Sequence, residues 1–230
     1  MYNNYMSTVS RGNLGESKVK KELQKVKEHF KLINNFTYVN SKTNTSHQID
    51  HILIHPHGVF VIETKNYFGT IISDTGEAFW LRIARGEKQI IANPIKQNQS
   101  HMNIINRLLE KKYEVISVVV FVRNNAPYVG DYNVINLKDL LLLIKTHPYK
   151  KLLSDEEIDS VYKTLRKLNC KISAKEHKDN VNRMKKEKQF LYEEKAFAIE
   201  NRICPRCNVK MEITGNHYKC PNCHFSFDIS

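Results

Sequence analysis

The sequence predicts an α/β protein in which a mixed central sheet is flanked by helices and followed by a helical linker and a small cysteine-rich module. Three observations lead to this fold class. Residues 115–122 form an apolar run, broken only by Ser117 and rich in β-branched side chains, which is typical of a strand buried on both faces. Segments with strand and helix patterns alternate around this run. Two Cys-x2-Cys pairs stand in the last segment, which is too short to bury a core of its own.

The chain opens with a predicted helix. Apolar residues recur at helical spacing over about residues 14–30, after a loose lead-in over residues 1–11. Glu16 lies on the same stripe as Val19 and Leu23, which is expected to face the core. A carboxylate there either interacts favourably with the positive end of the helix dipole or serves as an acidic group in a functional site.

Two apolar strands joined by a short turn, within residues 48–66, carry charges where a buried strand should have none. Asp50 interrupts the first strand, and Glu63 and Lys65 project from one face at the end of the second. In an antiparallel hairpin Asp50 lies across from that pair. Buried charges of this kind must pair or hold a metal, and carboxylates are ligands that Mg²⁺ uses. The alternative is an ion pair between Glu63 and Lys65, with Asp50 capping a turn.

Further short strands are expected before a second helix. The pattern predicts a strand at residues 36–39 ahead of the hairpin, and strands at residues 70–72, 79–83 and 89–91 after it. Asn93 is then a suitable N-cap and Pro94 a suitable first helical residue. On the helix that follows, Gln97 and His101 are four residues apart and share a face. His101 is either part of a site or an ordinary packing residue.

The second half of the chain continues the alternation. A strand at residues 134–137 is followed by a helix over residues 138–146. Ser154 and Glu157 form a capping box that opens another helix. Residues 174–200 are dense in charge and contain no proline or glycine, which predicts a long exposed helix that links two modules.

The last segment contains four cysteines. Cys204 and Cys207 form one pair, Cys220 and Cys223 form the other, and 12 residues separate the pairs. This spacing lets four thiolates reach one tetrahedral ion and predicts a structural Zn²⁺ site whose metal supplies the folding energy. A hairpin is predicted between the pairs. Some neighbouring side chains allow a nucleic-acid surface: Arg206, Lys210, Tyr218, Lys219 and Phe225.

The composition restricts the class of partner. The 230 residues carry a formal net charge of +12 at pH 7, which favours a polyanion such as nucleic acid. A lysine-rich composition without such a partner gives the same charge, so the alternative stays open. The sequence has no run of about 18 apolar residues and no signal-peptide pattern at its start. We therefore expect no membrane partner and a cytoplasmic location.

Taken together, these motifs resemble a known group of nucleases. The acidic and lysine residues of the hairpin resemble the active-site core of the PD-(D/E)xK nuclease superfamily. Four blocks in the family's order resemble the NERD (nuclease-related) domain over about residues 12–125. These blocks are Gly15-Glu16, Gln48-Ile49-Asp50-His51, residues 58–66, and Asn93-Pro94-Ile95-Lys96-Gln97. The cysteine-rich tail resembles the zinc ribbons appended to bacterial topoisomerases.

The resemblance implies a restriction-endonuclease-like core and a division of the chain into modules. These would be a nuclease domain over residues 12–150, a helical extension over residues 151–202 and a zinc ribbon over residues 203–230. It further implies a nuclease that depends on Mg²⁺ or Mn²⁺ and cuts DNA, with RNA as a possible second substrate. We expect endonucleolytic cleavage, with the ribbon aiding substrate binding.

The resemblance also assigns roles within the site. Asp50 and Glu63 would bind the metal, and Glu16 would assist them. Lys65 would position or deprotonate the attacking water. Gln97 would complete the pocket. Two alternatives remain: an inactive nucleic-acid-binding module, and a protein-docking scaffold built on a nuclease fold.

Overall fold

The computed structural model describes most of the chain, which divides into two compact units. Described are residues 8–40, 45–170, 200–215 and 217–228, together with 176, 179–180, 182–183, 186, 190, 193–194 and 197–198. One unit comprises residues 1–39 and 47–171. The other comprises residues 40–46 and 172–230.

Eight strands and four α-helices are described up to residue 168. The strands are β1 (Lys31–Asn40), β2 (Thr45–His55), β3 (Gly58–Lys65), β4 (Thr70–Ile72), β5 (Phe79–Ala84), β6 (Glu87–Ala92), β7 (Val115–Phe121) and β8 (Val134–Asn136). The helices are α1 (Thr8–Leu23), α2 (Pro94–Leu108), α3 (Leu140–Thr146) and α4 (Asp155–Leu168), with a 3-10 turn at Leu137–Asp139 before α3.

A five-stranded mixed sheet forms the centre, in the order β1-β2-β3-β7-β8. Strands β2 and β3 are antiparallel and form the predicted hairpin. Strand β3 pairs with β7 in parallel, and β7 pairs with β8 in parallel. The predicted α/β class with a mixed central sheet is confirmed.

Helices cover both faces of this sheet because successive residues of a strand point to opposite faces. On one face, Ile105 of α2 and Val161 of α4 pack in the same cluster as Val61 of β3. On the other face, Val19 of α1 and Ile144 of α3 belong to a second cluster. Strand β3 therefore lies in the middle of a three-layer arrangement, and its carboxyl end is reached from both sides.

The strands between β3 and α2 do not join the central sheet. They form a separate antiparallel sheet in the order β4-β5-β6. One face of this small sheet presents Ile71, Trp80 and Ile91 to a cluster that includes Ile95 of α2 and Phe121 of β7. The sequence predicted the strands at these places, but it did not predict a second sheet.

The first helix differs from its prediction at both ends. It begins at Thr8, within the stretch expected to be a lead-in, and it ends at Leu23 rather than near residue 30. The chain turns after Leu23, where the N–H of Val26 donates to the Leu23 carbonyl at 3.2 Å. Phe30 nevertheless packs in the same cluster as Val19 and Leu23, from the segment just before β1. Phe30 therefore reaches the core side predicted from its helical spacing, although it lies outside the helix.

The second unit contains a small antiparallel sheet in the order β11-β10-β9. Its strands are β9 (Glu212–Thr214), β10 (His217–Lys219) and β11 (Ser226–Asp228), and β11 was not predicted. Much of the predicted helix over residues 174–200 lies outside the described residues, and the residues described within it are helical. Within the described part of the chain, no helix has both the length and the apolar character that crossing a bilayer requires.

Candidate functional site

The hairpin of β2 and β3 brings Asp50 to the end of the strand that carries Glu63. Its register pairs His51 with Ile62. Just beyond this pair, the backbone N–H of Thr64 donates to Asp50 Oδ2 at 2.7 Å. A carboxylate fixed in this way has its orientation set by the strand itself. The apolar residues that specify the register of the hairpin therefore also position the acid.

Glu63, Lys65 and Gln97 form a closed set of hydrogen bonds. The Glu63 Oε1 atom accepts from Lys65 Nζ at 2.6 Å and from Gln97 Nε2 at 2.8 Å. The Lys65 Nζ atom also donates to Gln97 Oε1 at 3.0 Å. The Glu63 side chain is 4% exposed and that of Lys65 is 11% exposed. The three side chains are therefore held in one geometry and shielded from most of the solvent.

The second oxygen of Glu63 faces His101. Glu63 Oε2 lies 3.6 Å from His101 Nδ1. Both atoms are buried, and neither has a hydrogen-bond partner among the described residues. The structure thus brings His101 into the site, where its side chain is 7% exposed. Because an unsatisfied buried polar atom is costly, this pair of atoms has unused capacity to bind a further ligand.

Asn98 fixes the helix that carries Gln97 and His101. Its Nδ2 donates to the carbonyl of Val61 at 2.9 Å and to that of Val118 at 3.1 Å, which joins α2 to β3 and β7. The side chain is fully buried. Asn98 was not among the residues predicted for the site, although a polar residue three positions after Ile95 is a visible signal on an apolar helix face.

Gly15 allows α1 to approach the end of β3 closely. A Cβ atom at this position would lie 2.9 Å from Asn66 Cβ and 3.3 Å from Thr64 Cγ2. The absence of a side chain therefore sets the distance between the helix and the strand end. The next residue, Glu16, is partly buried and close enough to feel the charge of Glu63.

The carboxylates perturb one another. Burial and the negative charge of Glu63 raise the pKa of Asp50 well above its ordinary value of 3.8, although the Thr64 hydrogen bond opposes the shift. Burial and the charge of Glu63 also raise the pKa of Glu16. Burial would lower the pKa of Lys65, but interactions led by the charge of Glu63 outweigh it and raise that pKa above 10.5.

These residues fit a divalent cation. Three carboxylates, those of Glu16, Asp50 and Glu63, stand against the single charge of Lys65, and Glu63 Oε2 has no partner within the described structure. The carboxylates do not form a closed metal cage, because no three of their ligand atoms lie within 4.8 Å of one another. An open arrangement suits Mg²⁺, which uses one or two carboxylates and keeps water and substrate oxygens in its shell.

The four cysteines of the second unit come together. The ligand atoms of Cys204, Cys207, Cys220 and Cys223 all lie within 4.8 Å of one another, and they form the one such cluster of His, Cys, Asp or Glu in the described part of the chain. The Sγ atoms of Cys204 and Cys223 are 3.5 Å apart, and those of Cys207 and Cys220 are 3.3 Å apart. Around Zn²⁺, a Zn–S distance of about 2.3 Å gives sulfur separations of about 3.8 Å. The cluster is compatible with a zinc ribbon.

The ribbon offers less surface for bases than the sequence allowed. Tyr218 and Phe225 are buried within it. Arg206 donates to both oxygens of Glu194, at 3.0 and 2.8 Å, and its guanidinium lies 4.2 Å from the centroid of the Phe225 ring. Of the five side chains suggested from the sequence, Lys210 and Lys219 are exposed and are neither buried in the ribbon nor paired with Glu194.

Comparison with known proteins places the hairpin within a stretch that matches a protein family. Residues 11–122 match the family model described as the nuclease-related domain, NERD. An uncharacterized protein of Bacillus anthracis is 31% identical over 165 residues, an alignment that covers 69% of this chain and 77% of that protein. No solved structure matches the chain at a significant level. On these grounds the chain belongs to the NERD family of nuclease-related domains.

Proposed function

We propose that this protein is a metal-dependent nuclease that hydrolyses phosphodiester bonds of DNA endonucleolytically. The observation that carries the proposal is the hydrogen-bonded set of buried Glu63 and half-buried Lys65 and Gln97 beside the further acids Asp50 and Glu16. A surplus of buried carboxylates destabilises a fold unless a cation neutralises it, so its presence at a strand end calls for a functional reason. Membership of the nuclease-related family supports phosphodiester chemistry at this place.

Asp50 and Glu63 would hold Mg²⁺ or Mn²⁺, with Glu16 as an auxiliary acid. The cation would act as a Lewis acid and stabilise negative charge that develops on the phosphate. The sequence left two roles open for Lys65, positioning the attacking water or deprotonating it. The ion pair that Lys65 Nζ makes with Glu63 at 2.6 Å supports the first, because an ammonium group can donate a hydrogen bond to water but cannot take up a proton. Gln97 holds the Nζ atom of Lys65 in place.

DNA is the partner that the charge favours. The net charge of +12 implies attraction to the phosphate backbone, and therefore binding that weakens steeply with salt and depends little on sequence. In the second unit the four cysteines would bind one structural Zn²⁺. The ribbon would aid substrate binding through exposed cations such as Lys210 and Lys219.

The experiment that tests this function compares cleavage of linear and supercoiled circular DNA in Mg²⁺, in Mn²⁺ and in EDTA. The proteins are the wild type, Asp50→Ala, Lys65→Ala and the control Lys145→Ala. Lys145 is an exposed cation far from the site. It follows Ile144, whose carbonyl accepts a hydrogen bond from His57 Nδ1. His57 precedes the first residue of β3, whereas Lys65 is the last residue of that strand.

We expect metal-dependent cutting of the closed circle by the wild type and by Lys145→Ala. Asp50→Ala and Lys65→Ala should lose cleavage but still retain DNA at low salt. Cleavage by purified Asp50→Ala protein would refute the proposed roles. DNA retention by a wild type that cuts under no metal would instead indicate the inactive binding module.

A further inference from the structure

The loops after β3 and β7 meet at one edge of the central sheet. The two strands run in parallel with Lys65 opposite Phe121, and the N–H of Val122 donates to the Lys65 carbonyl at 3.0 Å. The residues that follow each strand therefore emerge side by side, next to the acids of the site. In open α/β sheets this edge, beyond the carboxyl ends of parallel strands, is where ligands bind.

Asn66 joins three parts of the structure at this edge. Its Nδ2 donates to the carbonyl of Arg11 in α1 at 2.8 Å. Its Oδ1 accepts from Arg123 Nε at 2.9 Å. Because Asn66 directly follows Lys65, these two bonds fix the guanidinium of Arg123 beside the end of the strand that carries the lysine. Asn66 is thus a positioning residue for Arg123.

The loop that carries Arg123 is held in place by a second side chain. Asn125 Nδ2 donates to the carbonyl of Tyr67 at 3.1 Å and to that of Gly69 at 2.7 Å. The two loops after β3 and β7 are therefore tied together at Asn66, Tyr67 and Gly69. A cation mounted on this pair of loops has a defined position relative to the site, which a lysine on a free surface would lack.

The charge of Arg123 is unused within the described structure. Arg123 is exposed, Nε is the guanidinium nitrogen that donates to Asn66, and no carboxylate among the described residues pairs with the group. If Arg123 served only to hold Asn66 in place, one neutral hydrogen-bond donor would be enough. A guanidinium with one nitrogen anchored and its terminal nitrogens open to solvent is suited to binding a phosphate through two hydrogen bonds.

We propose that Arg123 forms a phosphate-binding subsite that holds the DNA backbone next to the phosphate being cut. This inference rests on the proposed nuclease function and adds a substrate contact to it. The subsite orients the strand across the acids of the site, and it takes no part in the chemical step. Its loss should therefore weaken substrate binding more than it slows turnover.

The test measures binding of a 30-base-pair duplex in EDTA as a function of salt, and cleavage kinetics in Mg²⁺. Three variants are compared with the wild type: Arg123→Gln, Arg123→Lys and the charge-matched control Lys145→Gln. A phosphate contact on duplex DNA contributes about 0.9 to the slope of log K against log salt. The binding arm needs no cleavage, so it separates failure of the subsite from failure of the nuclease.

We expect Arg123→Gln to lower the slope by about 0.9 and to raise KM about tenfold, with kcat changed by less than about threefold. Arg123→Lys should restore the slope because it keeps the charge, and Lys145→Gln should leave the slope unchanged. An equal slope for Arg123→Gln and wild type overturns the subsite, as does an equal decrease in Lys145→Gln. A loss of kcat without a change in KM also overturns it. Absence of duplex binding by the wild type at 50 mM salt overturns both the subsite and the DNA substrate.

Discussion

Replacing Gly15 by alanine tests how closely α1 must approach the end of β3. The two glycines of this helix provide a matched pair. A Cβ atom at Gly15 would lie 2.9 Å from Asn66 Cβ and 3.3 Å from Thr64 Cγ2, whereas a Cβ atom at Gly12 would have nothing within 4 Å. The first contact is shorter than carbon atoms tolerate, and Asn66 Cβ is attached directly to the backbone. The helix or the strand end must therefore move.

The magnitude follows from two opposing effects. Alanine is about 1 kcal/mol more favourable than glycine inside a helix, and this gain applies at both positions. Crowding of a packed contact costs about 1–3 kcal/mol, and this cost applies at Gly15 alone. Gly12→Ala should therefore stabilise the protein by up to about 1 kcal/mol, and Gly15→Ala should destabilise it by up to about 2 kcal/mol. A difference of about 2 kcal/mol corresponds to about 4–8 °C in Tm for a domain of this size.

The assay combines urea unfolding with DNA cleavage in Mg²⁺. Because Glu16 follows Gly15 and Asn66 follows Lys65, a displaced helix should also disturb the site, so Gly15→Ala should cut several-fold more slowly than Gly12→Ala. Equal stability of the two variants, with cleavage at the rate of the wild type, would show that the approach of α1 to β3 is not as close as the structure has it.

Three further predictions concern the metals and pH. Asp50→Asn should raise Tm in EDTA, because it removes a carboxylate whose charge burial and Glu63 disfavour. The same variant should lose the rise in Tm that Mg²⁺ gives the wild type. Thermal unfolding with and without Mg²⁺ measures both effects. Elemental analysis should find one zinc per chain, and Cys220→Ser should lower that content; an unchanged content would exclude the four-cysteine site. Burial, and next the nearby His57, lower the pKa of His55, so the folded protein keeps that ring neutral where the unfolded chain takes up a proton. As pH falls below about 6.5, the wild type should therefore lose unfolding free energy relative to His55→Gln, by up to about 1.4 kcal/mol per pH unit, in urea titrations.

The hairpin and its charged residues could be predicted because the signal is local. Strand residues two apart point to one face, so Glu63 and Lys65 had to project together, and a short turn had to return Asp50 to the same end. The N-cap at Asn93 is local in the same sense, and its side chain accepts from Ile95 N–H as expected. Short-range rules of this kind also located most strands.

The features that could not be predicted depend on contacts between distant parts of the chain. The second hydrogen-bond partner of Asn66 is Arg123, which lies 57 residues further along the chain. Asn66 ends one of the family blocks, but neither it nor Arg123 departs from the polar composition expected of a loop, so nothing in the sequence indicates that the two side chains meet. The separate sheet of β4, β5 and β6 could not be predicted for a related reason, because strand patterns specify neither partners nor sheet membership. The end of α1 was misplaced because Phe30 reaches the core from the non-helical segment before β1.

The ribbon shows how burial can change the interpretation of a sequence motif. Aromatic and basic residues interleaved near a zinc site suggest stacking against unpaired bases. Tyr218 and Phe225 instead pack around the cysteines, together with Ala198 of the preceding helical segment. Their ring faces could reach a base only if the ribbon unfolded. Any contact of this ribbon with DNA must then come mainly from charge on exposed lysines, which predicts salt-sensitive attachment without base preference.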